Sequence, residues 1–329
     1  ISVFSSNQFS GFLSDQVSQL TTDQIVAMTS VNIAGFSSGQ IGAISTAVIG
    51  ALESRDLAVL SADQVAGFTT AQIQQLDGSR IAAFNATNIG GLSSTQVGVI
   101  TTSALQAFES RDFAVLSTTQ IQGFTTAQVN ALQSETLKGI SSTQLNLLSS
   151  SQLQALSPTN VQGITTGVLS NLSTSNVALL ESEDIAGLTS VQVASLTSAQ
   201  LVALTSSNIV GIALSAVGTA NLRTIDSADF AFLNTAAVSR IGATQVGFLT
   251  TEQLIALTTT NVVGLRVEGL SSEQLSAMDS ADIGQLTPAQ VKNLTTANVV
   301  GLTLAQVVAL DTKITDVERA DIAALSASQ

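Results

Sequence analysis

The chain has 329 residues, 45% of them hydrophobic and only 10% charged, with a formal net charge of -13. It contains no His, Cys, Trp or Tyr, which removes the usual zinc and haem ligands, the usual general base at neutral pH, and any Ser-His-Asp or Cys-His constellation. No Gly-rich phosphate loop is present, and ten basic residues scattered among acidic ones make no groove for nucleic acid, so neither an enzyme nor a nucleic-acid partner is expected.

The segment "ISVFSSNQF" carries neither an initiator Met nor a signal peptide, so the chain is expected to be a processed product or a portion of something longer. From Phe4 onward a large apolar residue recurs every eighth position, and this register runs unbroken to Gly211, about 26 octads. Lettering the octad a to h from that residue gives the consensus L-T/S-T/S-x-Q-V/I-x-A/G. Position b is Ser or Thr and position e, three residues later, is usually Gln, Asn or Asp. This is the spacing of a capping box, in which a hydroxyl caps a helix while the third helical residue reaches back to the cap N–H. Thr125 with Gln128, Ser141 with Gln144, Thr197 with Gln200 and Thr250 with Gln253 are examples.

A single long helix fails on geometry. At about 100° per residue, an eight-residue period moves the apolar stripe by roughly 80° each time and wraps it around the helix. The repeated cap instead predicts a fresh short helix in every octad, its narrow a/f face buried against neighbouring copies, because so short a helix is not stable alone. Pro158 and Pro288 fall at position c, the first helical position, where Pro is welcome. Gly at h recurs every 24 residues through Gly139, Gly163, Gly187 and Gly211, which suggests three octads per turn. Earlier, Gly11, Gly35, Gly67, Gly91 and Gly123 alternate between 24 and 32, so the expectation is three to four. Phe36, Phe68, Phe84, Phe108 and Phe124 at position a are expected in the core.

Within this first run, "ISTAVIGALESRDLAVLS" and "ITTSALQAFESRDFAVLS" repeat 56 residues apart. Each contains an octad in which b is acidic and e is Asp. Six such pairs occur: Glu53/Asp56, Glu109/Asp112, Glu181/Asp184, Asp226/Asp229, Asp279/Asp282 and Glu318/Asp321. Two readings stand: calcium ligation, with Glu53, Asp56, Glu109, Asp112, Glu181 and Asp184 as candidates, or complementarity of acidic side chains with the helix dipole. No other cofactor is expected.

The register breaks near 212–224, resumes from Ile225 to Gly264, breaks again in "LRVEG" at 265–269, and resumes from Leu270 to Ala309. After a third break at 310–316 comes a last unit, "VERADIAA", from Val317. These breaks read as loops or bulges, or as places where the coil bends or meets another subunit. No domain boundary stands out, and one octapeptide-repeat solenoid over 1–329 is expected. The fold class is therefore all-α, a solenoid of very short capped helices. The alternative is a β-solenoid, favoured by Val, Ile and Thr but opposed by apolar steps of three and five, which break strand alternation.

Units such as "LTSAQLVAL", "FTTAQVNAL" and "LTTEQLIAL" resemble the octapeptide tracts of large secreted bacterial surface proteins, adhesin-like or RTX-like. That resemblance implies an exported or cell-surface structural role. It brings no haem site, since His, Tyr and Cys are absent, and the RTX calcium nonapeptide is not present. The expected function is a protomer of an extracellular bacterial filament or rod-like surface fibre, assembled from copies of itself by head-to-tail stacking. Phe4, Phe9 and Phe12 at one end and Ile322 and Leu325 at the other are the assembly candidates. The alternative is a spacer or binding region of a secreted, calcium-dependent adhesin with a surface or carbohydrate ligand. No uninterrupted apolar run approaches the ~20 residues of a membrane helix, so membrane insertion is not expected.

Overall fold

A computed structural model of the chain describes residues 1–327 and 329. The described residues are helical throughout, in short α- and 3-10 segments joined by turns, and no strand occurs among them. The all-α expectation therefore holds, and the β-solenoid does not. Two compact units are present, Ile1–Leu172 and Ser173–Gln329.

Each octad is built from a short helix and an extended corner. In the octad ending at Leu132, Thr125 is extended (φ -74°, ψ 160°), Thr126–Ala131 is helical, and Leu132 is extended again (φ -61°, ψ 140°). Six helical residues rise about 9 Å, and two extended residues then redirect the chain. The hydroxyl at b and the amide at e fix where the helix begins. Thr125 Oγ1 accepts from the Gln128 backbone N–H at 3.2 Å, and the Thr125 N–H donates to Gln128 Oε1 at 2.7 Å. The same reciprocal pair forms at Ser141/Gln144, Thr197/Gln200 and Thr250/Gln253. In all four pairs the bond to the amide oxygen is the shorter one. Where b carries no hydroxyl, at Leu13 and Gly242, the cap N–H still donates to Gln16 and Gln245 at 2.9 Å. The e amide is thus the more constant half of the cap.

Stacking fixes the number of edges. In the first unit the helix Ser6–Ser10 packs on Ser30–Ile33, Ser14–Ser18 on Ser38–Ala43, and Ser38–Ala43 on Ala62–Ala66. In the second, Ser272–Ala277 packs on Thr296–Val299 and Ser280–Gln285 on Leu304–Leu310. Every one of these partners lies three octads away, so each unit coils with three edges per turn, the lower bound of the expected range. Position f forms the innermost layer, as at Ile41, Val65, Leu145, Leu201 and Leu254, all without solvent exposure. Position a, including Phe36, Phe68, Phe84, Phe108 and Phe124, closes the core around it.

Glycine at h marks close helix approach and not a particular corner. A Cβ on Gly139 would fall 1.8 Å from the backbone oxygen of Ser110, and one on Gly35 would fall 2.1 Å from that of Ser6. Both lie over position c three octads earlier, whichever edge they occupy, so their spacing in sequence does not count edges.

Two of the register breaks are shortened edges. Residues 212–216 (IALSA) and 265–269 (LRVEG) keep the a and f side chains but lose three residues, including the e amide. Ile212, Leu214, Leu265 and Val267 are all buried. Each break closes as a 3-10 turn, Leu214–Ala216 or Val267–Gly269, entered through a similar backbone at Ala213 (φ -79°, ψ 80°) and Arg266 (φ -86°, ψ 88°). The third break is the 3-10 segment Asp311–Asp316, entered through Asp311 with φ 50°. Pro288 opens a helix as expected. The octad of Pro158 closes instead as a turn and a 3-10 segment, Val161–Gly163. Asn at e accompanies the same tightening before Ile89–Gly91, Ile209–Gly211 and Val262–Gly264. Asn at e does not by itself impose the tightening, since Asn32 and Asn298 hold the same position in the α-helices Ser30–Ile33 and Thr296–Val299.

Candidate functional site

The most repeated polar feature is a ladder of buried carboxamides that joins one coil to the next. Gln40 accepts the Ser37 cap N–H through Oε1, and its Nε2 donates to the carbonyls of Phe9 at 3.1 Å and Phe12 at 2.6 Å in the coil below. The Phe12 carbonyl lies at the corner, beyond the reach of an intrahelical donor, and the Phe9 carbonyl, at the helix C-terminus, also accepts the Phe12 N–H at 3.0 Å. Gln72 repeats the pattern on Ile41 and Ile44, and Gln128 on Val97 and Ile100. In the second unit Gln253 bonds Leu222 and Ile225. In these three pairs the offsets are 31 and 28 residues. Asn serves equally: Asn88 Oδ1 accepts the Asn85 N–H at 2.8 Å while Nδ2 donates to Leu57 and Leu60, both at 3.1 Å. One side chain therefore caps its own helix and fastens it to the coil beneath.

The sequence allows the e amide two duties, its own cap or a bond to an equivalent amide in the next coil; one side chain performs the first and reaches the next coil as well, but its partners there are backbone carbonyls. Sequence reasoning missed two substitutes at position e. Arg80 Nε donates to Leu52 O at 2.9 Å while its guanidinium pairs with Asp77, and Thr136 Oγ1 donates to Phe108 O at 3.0 Å.

In the acidic octads the two carboxylates diverge. Glu53 and Glu109 turn outward onto Arg55 and Arg111 at 2.8 and 3.1 Å. Asp56 and Asp112 turn inward, 0% and 2% exposed. Asp112 Oδ2 accepts the Glu109 cap N–H at 3.0 Å, but its Oδ1 is buried without a hydrogen-bond partner, as are both carboxylate oxygens of Asp56. Arg55 and Arg111 approach these buried groups only to 3.8 and 3.6 Å. Asp184 accepts the Glu181 N–H at 3.3 Å. Asp229, Asp282 and Asp321 are buried as well. Burial pushes the carboxyls of Asp56, Asp112 and Asp229 upward, and those of Asp184 and Asp282 up to about 6. Among the described residues, no three acidic side chains converge in a way that could hold a metal ion.

The first coil presents the ladder with nothing beneath it. Gln8, Gln16 and Gln24 each accept their own cap N–H, at 2.8, 2.9 and 2.9 Å, yet all three are exposed, whereas Gln40, Gln64 and Gln72 are buried. Around them Phe4 is 37% exposed and Phe12 half-buried, packed edge-on at 5.9 Å, and Leu13 is exposed. Phe9 is fully buried as the floor of this cluster, 5.0 Å from Phe12 and 5.1 Å from Phe36. At the opposite end of the chain Ile322 is 45% exposed and Leu325 half-buried. No helix of the described residues is long and apolar enough to cross a membrane.

A family model described as the ALTTAQ repeat matches residues 49–85, 105–137, 177–215, 222–259 and 275–312, together more than half of the chain. No curated protein matches it.

Proposed function

This chain belongs to the ALTTAQ repeat family, and from that premise we propose that it is a structural protomer whose copies stack end to end into an extracellular bacterial filament or surface fibre. The observation that carries this reading is the exposed ladder of the first coil. Gln8, Gln16 and Gln24 have the same cap contact as Gln40, Gln64 and Gln72 but no carbonyls below for their N–H2 groups. At the far end the carbonyls of Leu310 and Val317 have no amide above them among the described residues, and Ile322 adds exposed apolar surface beside them.

A donor face at one end and an acceptor face at the other form a heterologous contact, which propagates unless its rotation closes a ring. The same bonds that join coils within a unit would then join copies, with Phe4, Phe12 and Leu13 of one copy covering Ile322 and Leu325 of the next. Open solenoid ends require such a cover or a capping unit. A secreted, adhesin-like setting suits a cysteine-free chain with few charges.

Negative-stain electron microscopy and sedimentation of the purified chain test the proposal, with and without calcium. Concentration-dependent fibres are expected in both conditions. They should be lost in the triple variant Gln8→Glu, Gln16→Glu, Gln24→Glu, whose exposed positions leave the fold intact by circular dichroism. A chain that stays monomeric at all concentrations would refute self-assembly. Particles that form only with calcium would favour the calcium-dependent adhesin.

A further inference from the structure

Six octads place Asp where the ladder requires a hydrogen-bond donor. An Asp has the same heavy-atom frame as Asn, so the geometry of Asn88 and Asn261 shows what that position asks of its occupant. In Asn261, Oδ1 accepts the Thr258 cap N–H at 2.8 Å, and Nδ2 donates to Phe230 O at 3.0 Å and Leu233 O at 2.9 Å. With Asp in that frame the second atom becomes an oxygen facing two carbonyl oxygens, in a place closed to water. Asp112 records this half-finished state: Oδ2 holds the Glu109 N–H and Oδ1 is buried without a partner.

Register identifies the facing carbonyls. Gln96 bonds Phe68 and Gln120 bonds Ile89 and Leu92, so Asp112 stands over Ile81 and Phe84. Gln40 over Phe9 and Phe12, and Gln64 over Ile33 and Phe36, place Asp56 over Ile25 and Met28. In the second unit, Gln274 over Val246 and Leu249, and Gln290 over Val262 and Leu265, place Asp282 over Leu254 and Leu257.

We propose that Asp56, Asp112 and Asp282 are intercoil proton sites. Each carboxyl takes up a proton from solvent and donates it to the carbonyls beneath, so these seams close in mild acid and loosen at neutral pH. A protonated carboxyl offers one donor and keeps an acceptor for the cap N–H, which is the ladder's requirement. An ionised one leaves an acceptor against acceptors, and burying it unpaired is costly.

The charged neighbours of each site are few. Asp282 has Asp279 on its own helix, no charged residue on the packed segments Leu304–Leu310 and Val262–Gly264, Glu252 in the coil below, and Lys313 held on Gly284 O. Asp112 has Glu109 and Arg111 on its own helix, Glu135 and Lys138 paired with each other on the helix packed above, and Arg80 with Asp77 in the coil below. Asp56 has Glu53 and Arg55 on its own helix, Asp23 below, and Asp77 with Arg80 above. Neither arginine completes a hydrogen bond to the buried oxygens, so neither replaces the proton. Burial pushes all three carboxyls upward, that of Asp282 to about 6 with the Asp279 charge adding to the push, while Arg55 and Arg111 oppose it at Asp56 and Asp112.

The linkage has a definite sign. Between the ordinary Asp range and about 6, the folded chain holds a proton that the unfolded chain has released. Stability is therefore full in acid and falls as pH rises through about 6. The full chain should be unfolded by urea between pH 4.5 and 7.5, as wild type, as Asp282→Asn, and as the triple variant Asp56→Asn, Asp112→Asn, Asp282→Asn. Wild type is expected to be more stable at the lower pH. Asp282→Asn should raise stability at pH 7.5, by up to about a hundredfold in the folding equilibrium, and change it little at pH 4.5. Asp282→Ala, which supplies no donor, should lower stability at pH 4.5, and a carboxyl 13C signal should titrate near 6 in the folded chain. A wild type insensitive to pH, or an Asn variant less stable at pH 7.5, would overturn the proposal. So would millimolar calcium stabilising the wild type but not the Asn variants at pH 7.5, which would put a cation where the proton is placed.

Discussion

Replacing Gln128 by Ala removes three hydrogen bonds to backbone groups with one side chain: the Thr125 N–H at 2.7 Å, Val97 O at 2.8 Å and Ile100 O at 2.7 Å. Val97 O keeps a backbone donor, the Ile100 N–H at 3.2 Å. Ile100 O and the Thr125 N–H lose their side-chain partner in a place where Gln128 itself is buried. Three bonds at about 1 kcal/mol each, plus the desolvation of groups left unpaired, give a loss of about 3–5 kcal/mol. Gln128→Asn should cost only about 1 kcal/mol, since Asn88 shows that the shorter amide satisfies the same three groups and one buried methylene is all that is removed. Gln128→Glu keeps the acceptor but loses the donor, and should be at least as damaging as Ala at neutral pH and recover in acid. Urea unfolding at two pH values gives these differences, and amide exchange at Thr125 reports whether its N–H is released. An Ala variant losing less than about 1 kcal/mol, or an Asn variant as damaged as Ala, would refute the dual role of the amide.

Gly139→Ala should cost at least about 2 kcal/mol in thermal unfolding, because its Cβ would meet the Ser110 backbone at 1.8 Å. Gly167→Ala, inside a helix with nothing within 4 Å, should instead stabilise by about 0.5–1 kcal/mol. Thr250→Ala removes the hydroxyl that accepts from Gln253 and should cost about 1 kcal/mol by the same measurement, less than Gln253→Ala, which also loses the intercoil bonds. Leu145→Ala, at a position with no solvent exposure, should lose about 2–5 kcal/mol in urea unfolding, the usual range for a cavity at a packed aliphatic site.

Much of this architecture is legible in local spacing. Three residues from hydroxyl to amide announce each helix start, and alternating steps of three and five announce which residues are buried, because both facts are contained within one octad. What depends on the neighbouring coil is not legible in this way. The Nε2 of Gln128 bonds residues 31 and 28 positions away, and those partners become visible only once three edges are known to make a turn. Glycine misleads for the same reason: Gly139 answers to Ser110 in the coil below and not to the glycines before and after it in sequence. The acidic pairs look alike in sequence, yet Glu109 meets solvent and Arg111 while Asp112 is sealed inside. That difference follows from which octad position faces the coil below, and helix-dipole reasoning about the pair does not contain it.

The five-residue edges behave like a dislocation in a crystal. After "LRVEG", the amides of Gln274 and Gln290 reach back 28 and 25 residues, three fewer than usual, and Gln306 reaches 31 and 28 once more. The missing triplet shifts the lattice for a single turn and is then healed, since every bond refers only to the layer directly below. A lineage of such chains can therefore lose or gain three residues on one edge without rewriting any other, and lengthen or shorten by whole layers while each surviving layer keeps its own specification.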